Sequence, residues 1–266
     1  MHNIFGLLRR SGLRDWGICS FEQVRGSLLD CRAKSRIPEN ARSVLMTVFP
    51  YFTPCGVHNI SRYAIPPDYH TAAGEYLDRA CGLLREAFPE QEFVWFADNS
   101  PIPEVRAAAL AGLGCVGLNG LLITPEYGSW VFLGEIVTSL DLPVSGDGIK
   151  PCIRCGKCRE SCPGGAISAD GIETDRCLSH ISQKKRDLSP WECDLIRKGG
   201  SAWGCDICQE VCPMNRAAAE TYLPEFRTGL FPIIRPGQSE SLENRAFHWR
   251  GPKVIERNLH LLNNDS

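Results

Sequence analysis

Between Pro151 and Pro213 the chain carries eight cysteines in two runs: Cys152-x2-Cys155-x2-Cys158-x3-Cys162-Pro163, then Cys177 and, after a longer gap, Cys205-x2-Cys208-x3-Cys212-Pro213. No other feature restricts the fold as strongly. Three cysteines two residues apart on a turning backbone reach three corners of a four-iron cube, and the fourth thiolate must come from elsewhere. Proline fixes the backbone after Cys162 and after Cys212, which turns each of those thiols away from its own run. Where two such runs occur together, that fourth cysteine ligates the other cube. The spacing predicts two 4Fe-4S clusters, one on Cys152, Cys155, Cys158 and Cys212, the other on Cys162, Cys177, Cys205 and Cys208. Cys193 stands nearer to Cys205 and is the rival for Cys177. Cys177 is preferred because Asp175-Arg176-Cys177 follows a turn at Asp170-Gly171, as the start of an interleaved second half would. Zinc would account for one C-x2-C pair but not for two runs that end in C-x3-C-P.

The compartment bears on this reading. Residues 1–13 contain Arg9 and Arg10 but neither a long apolar core nor a small-residue cleavage site, so no signal peptide is expected. The most apolar stretch, 130–142, is interrupted by Glu135 and Asp141 and is too short to span a bilayer. A cytoplasmic chain with no membrane association is the expectation, and fourteen cysteines there argue for metal ligation over disulfides. The remaining six, Cys19, Cys31, Cys55, Cys81, Cys115 and Cys193, have no ligand spacing and read as structural thiols. The net charge of -2, from 29 basic and 31 acidic residues, supplies no global field toward nucleic acid. Lys184-Lys185-Arg186 and Arg197-Lys198 read as solvated faces.

With 266 residues and 43% hydrophobic content, the chain has room for one large domain or two smaller ones. Residues 43–49 form a β-branched apolar run closed by Pro50, a buried strand. Residues 69–88 place Ala73, Tyr76, Leu77, Ala80, Leu83, Leu84 and Ala87 near helical spacing. Further helices are expected at 3–13 and 104–113, with strands near 15–20, 92–97, 117–124 and 129–139. Alternating helices and strands give an α/β or α+β domain over 1–145, followed by the ferredoxin-like two-cluster domain over 146–222. The rest, 223–266, reads as an irregular extension ending in a helix near 253–262.

Outside the cysteines, a second set of motifs stands out. These are Ser61-Arg62-Tyr63-Ala64 with Asp68-Tyr69-His70, Ala97-Asp98-Asn99-Ser100-Pro101, Ala111-Gly112-Leu113-Gly114, Gly128-Ser129-Trp130-Val131-Phe132-Leu133-Gly134-Glu135, and Trp203-Gly204-Cys205-Asp206-Ile207-Cys208-Gln209 with Cys212-Pro213-Met214-Asn215. In these the chain resembles the epoxyqueuosine reductase family. The resemblance implies a nitroreductase-like N-terminal domain that holds cobalamin beside the clusters. It also implies an external low-potential electron donor and, as substrate, the epoxyqueuosine base of transfer RNA. It marks Asp98 as the catalytic acid, which requires a site that raises its pKa; the ordinary alternative is a turn-capping aspartate. The resemblance marks Tyr63, Asp68, His70 and Ser129 as cofactor contacts. Asp68-x-His70 nearly matches a signature by which other corrinoid proteins ligate cobalt from below, but Gly74 comes one residue late and the resembling family uses no such ligand. His70 thus reads as a hydrogen-bonding residue.

The chain departs from the family at Val105, Ala109 and Leu118, where arginine, glutamate and lysine are usual. It also stops near where a helical-repeat domain would follow, and so reads as a short form. Fewer charges favour the alternative of a dehalogenase-like corrinoid reductase of a small organic substrate. A plain 4Fe-4S electron carrier is the third reading, and residues 1–145 are surplus to it. The oligomeric state has no sequence signal.

Overall fold

The computed structural model describes residues 4–238 and 243–263. Its centre is a four-stranded sheet in the order β1 (Trp16–Ser20), β2 (Ser43–Pro50), β6 (Val131–Thr138) and β3 (Phe93–Phe96), antiparallel at each pairing. β2 is buried along its whole length, so both faces of the sheet must be covered. Successive side chains alternate between the faces. Leu45 and Phe49 join Leu8, Leu77, Leu84 and Ile136 in one core, whereas Val44, Met46 and Val48 join Phe96, Ala107, Ala108 and Val137 in another. Helices α1 (Ile4–Ser11) and α3 (Tyr69–Ala87) cover the first face. α2 (Glu22–Arg25) and α4 (Glu104–Leu110) cover the second.

Two expectations need correcting. Residues 117–124 are not one strand: β4 (Cys115–Val116) pairs with β5 (Leu122–Ile123) across a turn in which Gly120 takes φ +75°. α4 ends at Leu110 because Gly112 adopts φ +81°, a left-handed stop that glycine takes without penalty.

The cysteine-rich segment adds α5 (Lys157–Glu160), α6 (Leu178–Ile181), α7 (Pro190–Gly199) and α8 (Ile207–Glu210), with α5 and α8 packed together. α7 starts with Pro190 behind a capping box between Ser189 and Glu192, a signature that the sequence reading passed over. The last helix, α9 (Pro252–Asn263), returns to α7. Its Val254, Ile255 and Leu259 share a core with Ile60, Ile65, Trp203 and Phe247, so residues after 223 brace both halves. Among the described residues no helix is long and apolar enough to cross a membrane.

Candidate active site

β3 ends at Phe96 and the chain turns through residues 97–103 before α4. Asp98 and Asn99 both lie in the left-handed region, at φ +57° and +44°. Asp and Asn tolerate that region best, yet two in succession cost on the order of 1–3 kcal/mol each and must be held by their surroundings. The holding contacts are visible. Ser100 Oγ donates to the Glu135 carboxylate and accepts from Ile102 N at 2.9 Å, and Asp98 N donates to Glu104 Oε1 at 3.3 Å.

The Asp98 carboxylate meets α3. Tyr69 Oη donates to Asp98 Oδ2 at 3.2 Å, and His70 Nε2 lies 3.0 Å from the same oxygen. His70 Nδ1 lies 2.6 Å from Asp68 Oδ1, and Asp68, the N-cap of α3, also accepts from His70 N at 3.1 Å. Both ring nitrogens of His70 are therefore engaged by carboxylates. The Tyr69 ring stacks on Phe132 at 4.0 Å, which fixes its hydroxyl. The hydrogen bonds that Asp68 and Asp98 accept from its ring raise the His70 pKa from 6.5 to about 9. In return His70 holds the Asp98 carboxyl below its usual value. The contact with His70 thus runs against the raised value that a catalytic acid needs, and favours a carboxylate on Asp98 beside an imidazolium on His70. Beside this pair two carboxyls have raised values: Glu104, which burial and the Asp98 charge push to about 7, and Glu135, raised well above the ordinary range by burial beside Glu104. Neither was given a role from the sequence, although Glu135, inside the apolar stretch 130–142, is a signal of a carboxyl that lies buried for a reason.

Of the other residues singled out, Tyr63 and Ser129 belong to the junction between the sheet and the cysteine-rich segment. Tyr63 Oη accepts from Trp203 Nε1 at 2.7 Å. Ser129 Oγ donates to Gln209 Oε1 at 3.0 Å and accepts from Asn215 Nδ2 at 2.8 Å, and Ser129 N donates to Asn215 Oδ1 at 2.8 Å. The Asp206 carboxylate accepts from Ser61 Oγ and, at 2.6 Å, from Arg62 N. These buried groups are mutually satisfied and join the two halves as one network.

The thiols form two sets. Cys152, Cys155, Cys158 and Cys212 line a single small cavity with Leu118, Asn119, Ile123 and Met214. Arg154 and Gly156, at φ +51° and +83°, turn the backbone around it. Burial lifts Cys205 and Cys208 to about 12; Cys177 adds to the rise on both, and Cys162 adds to that on Cys208. Asn119 Nδ2 approaches Cys208 Sγ at 3.7 Å, so Asn119 reaches both sets. Thiols that oppose one another's ionisation fit a polynuclear cation, whose charge removes that opposition. Among the described residues no three His, Cys, Asp or Glu side chains converge as the ligands of one ion do. Cys193 stands apart, against Leu188 O at 4.0 Å.

Two cavities adjoin these groups. One of about 490 Å³ is lined by Pro103, Glu104, Val105, Arg106, Val116 and Ile149. The other, about 640 Å³, takes in Gly112, Cys115, Gly146 and Lys150 and shares Ile123 and Met214 with the first thiol set. Strand β4 divides them, with Cys115 facing one and Val116 the other. Of the three departures, Val105 lines the smaller cavity, Leu118 lines the thiol cavity, and Ala109, buried in the core, lines the larger one.

Residues 151–215 match the family described as 4Fe-4S double cluster binding domain. Over 212 residues the chain is 33% identical to an epoxyqueuosine reductase of Lactococcus garvieae, covering 76% of this chain and 60% of the relative. Over 191 residues it is 37% identical to one of Synechocystis, covering 68% and 65%. The chain thus spans less than two thirds of these relatives' length. A crystal structure of an epoxyqueuosine reductase with an epoxyqueuosine-modified tRNA stem loop superposes with a TM-score of 0.82 at 23% identity, covering 97% of this chain and 79% of that one. A reductive dehalogenase described with a mechanism for B12-dependent dehalogenation superposes at 0.51 and 16% identity, covering 97% and 35%. The shared fold is a mixed α and β domain joined to a two-cluster ferredoxin-like segment.

Proposed function

From the premise that this chain belongs with the epoxyqueuosine reductases, we propose that it is a cytoplasmic iron–sulfur reductase that removes the epoxide oxygen of epoxyqueuosine in transfer RNA. The observation that carries the reading is the proximity of three things: two sets of four thiols, cavities beside one set, and a carboxylate–imidazolium pair joined through Asp98 N to Glu104, which lines the smaller cavity. A plain electron carrier has use for the first only.

In this reading Cys152, Cys155, Cys158 and Cys212 hold one 4Fe-4S cluster, and Cys162, Cys177, Cys205 and Cys208 hold the other, filled by an external low-potential donor. A corrinoid would be held against the apolar walls given by Val105, Val116 and Ile149, and His70 would not serve as its ligand, because both ring nitrogens are engaged by carboxylates. When bound, that group supplies the low-potential reductive chemistry, and the protein's part is position and protons. Tyr69 and His70 orient Asp98. The proton on His70 Nε2 moves toward Asp98 Oδ2 and onward to the departing oxygen, while Asp68 on Nδ1 keeps the ring aligned through the transfer. Asp98 is then the last carrier of a proton stored on His70.

The test is an anaerobic assay of the cluster-loaded chain with cobalamin, a strong one-electron reductant and epoxyqueuosine-modified tRNA, followed by nucleoside mass analysis. Loss of one oxygen from the modified base is the expected result. No conversion of the tRNA, with conversion of a small halogenated aromatic instead, would move the chain to the dehalogenase-like reading that Val105 and Leu118 favour.

A further inference from the structure

Two carboxyls behind Asp98 have no part in the reading above. Glu135 lies on the central strand β6, opposite Met46 on β2 and Phe96 on β3, and is fully buried. One of its oxygens accepts from Ser100 Oγ; the other, Oε2, is offered no N–H or O–H donor. The Glu104 and Glu135 carboxyls are close enough to share a hydrogen bond once one of them carries a proton. Glu104 in turn faces Asp98 N and lines the cavity of about 490 Å³. Two carboxylates in contact in a dry site do not both ionise, and one proton between them supplies the donor that Oε2 lacks. The charged and titratable groups around the pair are Asp98 on the turn, His70 and Tyr69 on α3, and Arg106 at the exposed edge of α4. Asp98 favours the protonated pair and His70 opposes it, while β2 and β3 present only apolar partners to Glu135.

We propose that Glu104 and Glu135 share one proton and that Glu104 releases it into the cavity it lines, as the second of the two protons that the reduction consumes. Conversion of an epoxide to an alkene breaks two C–O bonds, forms one C–C double bond and releases the oxygen as water. It takes up two electrons and two protons. The electrons come from the low-potential donor through the clusters, one proton comes from His70 by way of Asp98, and the Glu pair holds the other. Glu135 is a positioning residue: its role is to keep the proton on Glu104. The proposal rests on the epoxide-reductase reading for its substrate but not for the existence of the shared proton.

Infrared difference spectroscopy of the cluster-loaded, substrate-free protein, with carbon-13 glutamate and exchange into heavy water, reads that proton directly. A protonated, deuterium-sensitive glutamic acid band that titrates near pH 7 is expected. The titration near pH 7 should be absent from Glu104→Gln and move to lower pH in Glu135→Gln, where the neighbouring carboxyl is gone. In turnover, Glu104→Gln should lower kcat by about 10²-fold with KM unchanged and remove the pH limb near 7. Absence of the band from the wild-type protein overturns the proposal whether or not the variants fold, as does a band unaltered in both variants. If the band behaves as described but epoxide is not reduced, the substrate reading fails together with the delivery step, and the proton store stands. If epoxide is reduced by a protein without the band, the proposal fails alone.

Discussion

Replacing His70 by glutamine keeps a hydrogen-bonding side chain between Asp68 and Asp98 but removes the charge. The imidazole rises from 6.5 to about 9, which at 1.36 kcal/mol per pH unit corresponds to ~3 kcal/mol of preference for the charged form in the folded state. With 31% of the His70 side chain and 49% of Asp98 in water, screening reduces this to about 1–2 kcal/mol. Because the folded value is raised, this stability is fully present below pH 6.5 and is lost as pH rises through about 9. Thermal unfolding of the cluster-loaded wild type and His70→Gln, compared in the same buffers, reads the difference. The wild type should hold an advantage of roughly 3–6 °C at about pH 6 that closes by about pH 10. A gap that stays constant across that range would show that His70 contributes shape alone, and would refute a proton resident between the two carboxylates. Only six histidines are present, so an NMR titration of the ring nitrogens can assign the transition to His70.

Cys177→Ser should halve the bound iron after reconstitution, whereas Cys193→Ser should leave iron content and cluster spectra unchanged; iron and sulfide analysis decides between them. Gly204 holds φ +71° with its missing Cβ position 2.5 Å from Ser61 Cβ, so Gly204→Ala should destabilise the junction by roughly 2–3 kcal/mol in denaturant titration. Glu192 accepts from Arg186 at 2.7 and 2.8 Å and from Lys184 at 3.1 Å, and these contacts hold its carboxyl well below the ordinary value. Glu192→Gln should therefore cost about 1–2 kcal/mol at neutral pH, and its gap to the wild type in thermal unfolding should begin to narrow below pH 4.5, where the unfolded carboxyl takes up its proton.

What could be read from the chain alone followed how local each signal is. The C-x2-C runs and the prolines after them are a few residues long, and so is the alternation of β2, whose even and odd positions feed the two cores. α3 declares itself by spacing over nineteen residues. Asp98 and His70 were each marked, but 28 residues separate them, and only the packing of α3 beside the β3 turn makes them a pair. That contact reverses the expected direction of the Asp98 pKa. The pairing of Glu104 with Glu135 was illegible for the same reason: one opens a helix, the other interrupts a strand, and their burial together is a tertiary event. The apparent strand at 117–124 misled because Leu121, Leu122 and Ile123 read as one apolar run, while Gly117 and Gly120 fold it into a hairpin.

The central claim is that the two thiol sets serve a corrinoid in the adjoining domain. Anaerobic titration of the cluster-reconstituted protein with cob(II)alamin, followed by electron paramagnetic resonance, tests it most directly. The account predicts that the cobalt signal loses its axial nitrogen coupling on binding, since His70 is committed to Asp68 and Asp98 and offers no replacement. A cobalt signal identical to that of free cob(II)alamin, beside ordinary cluster signals, would contradict it.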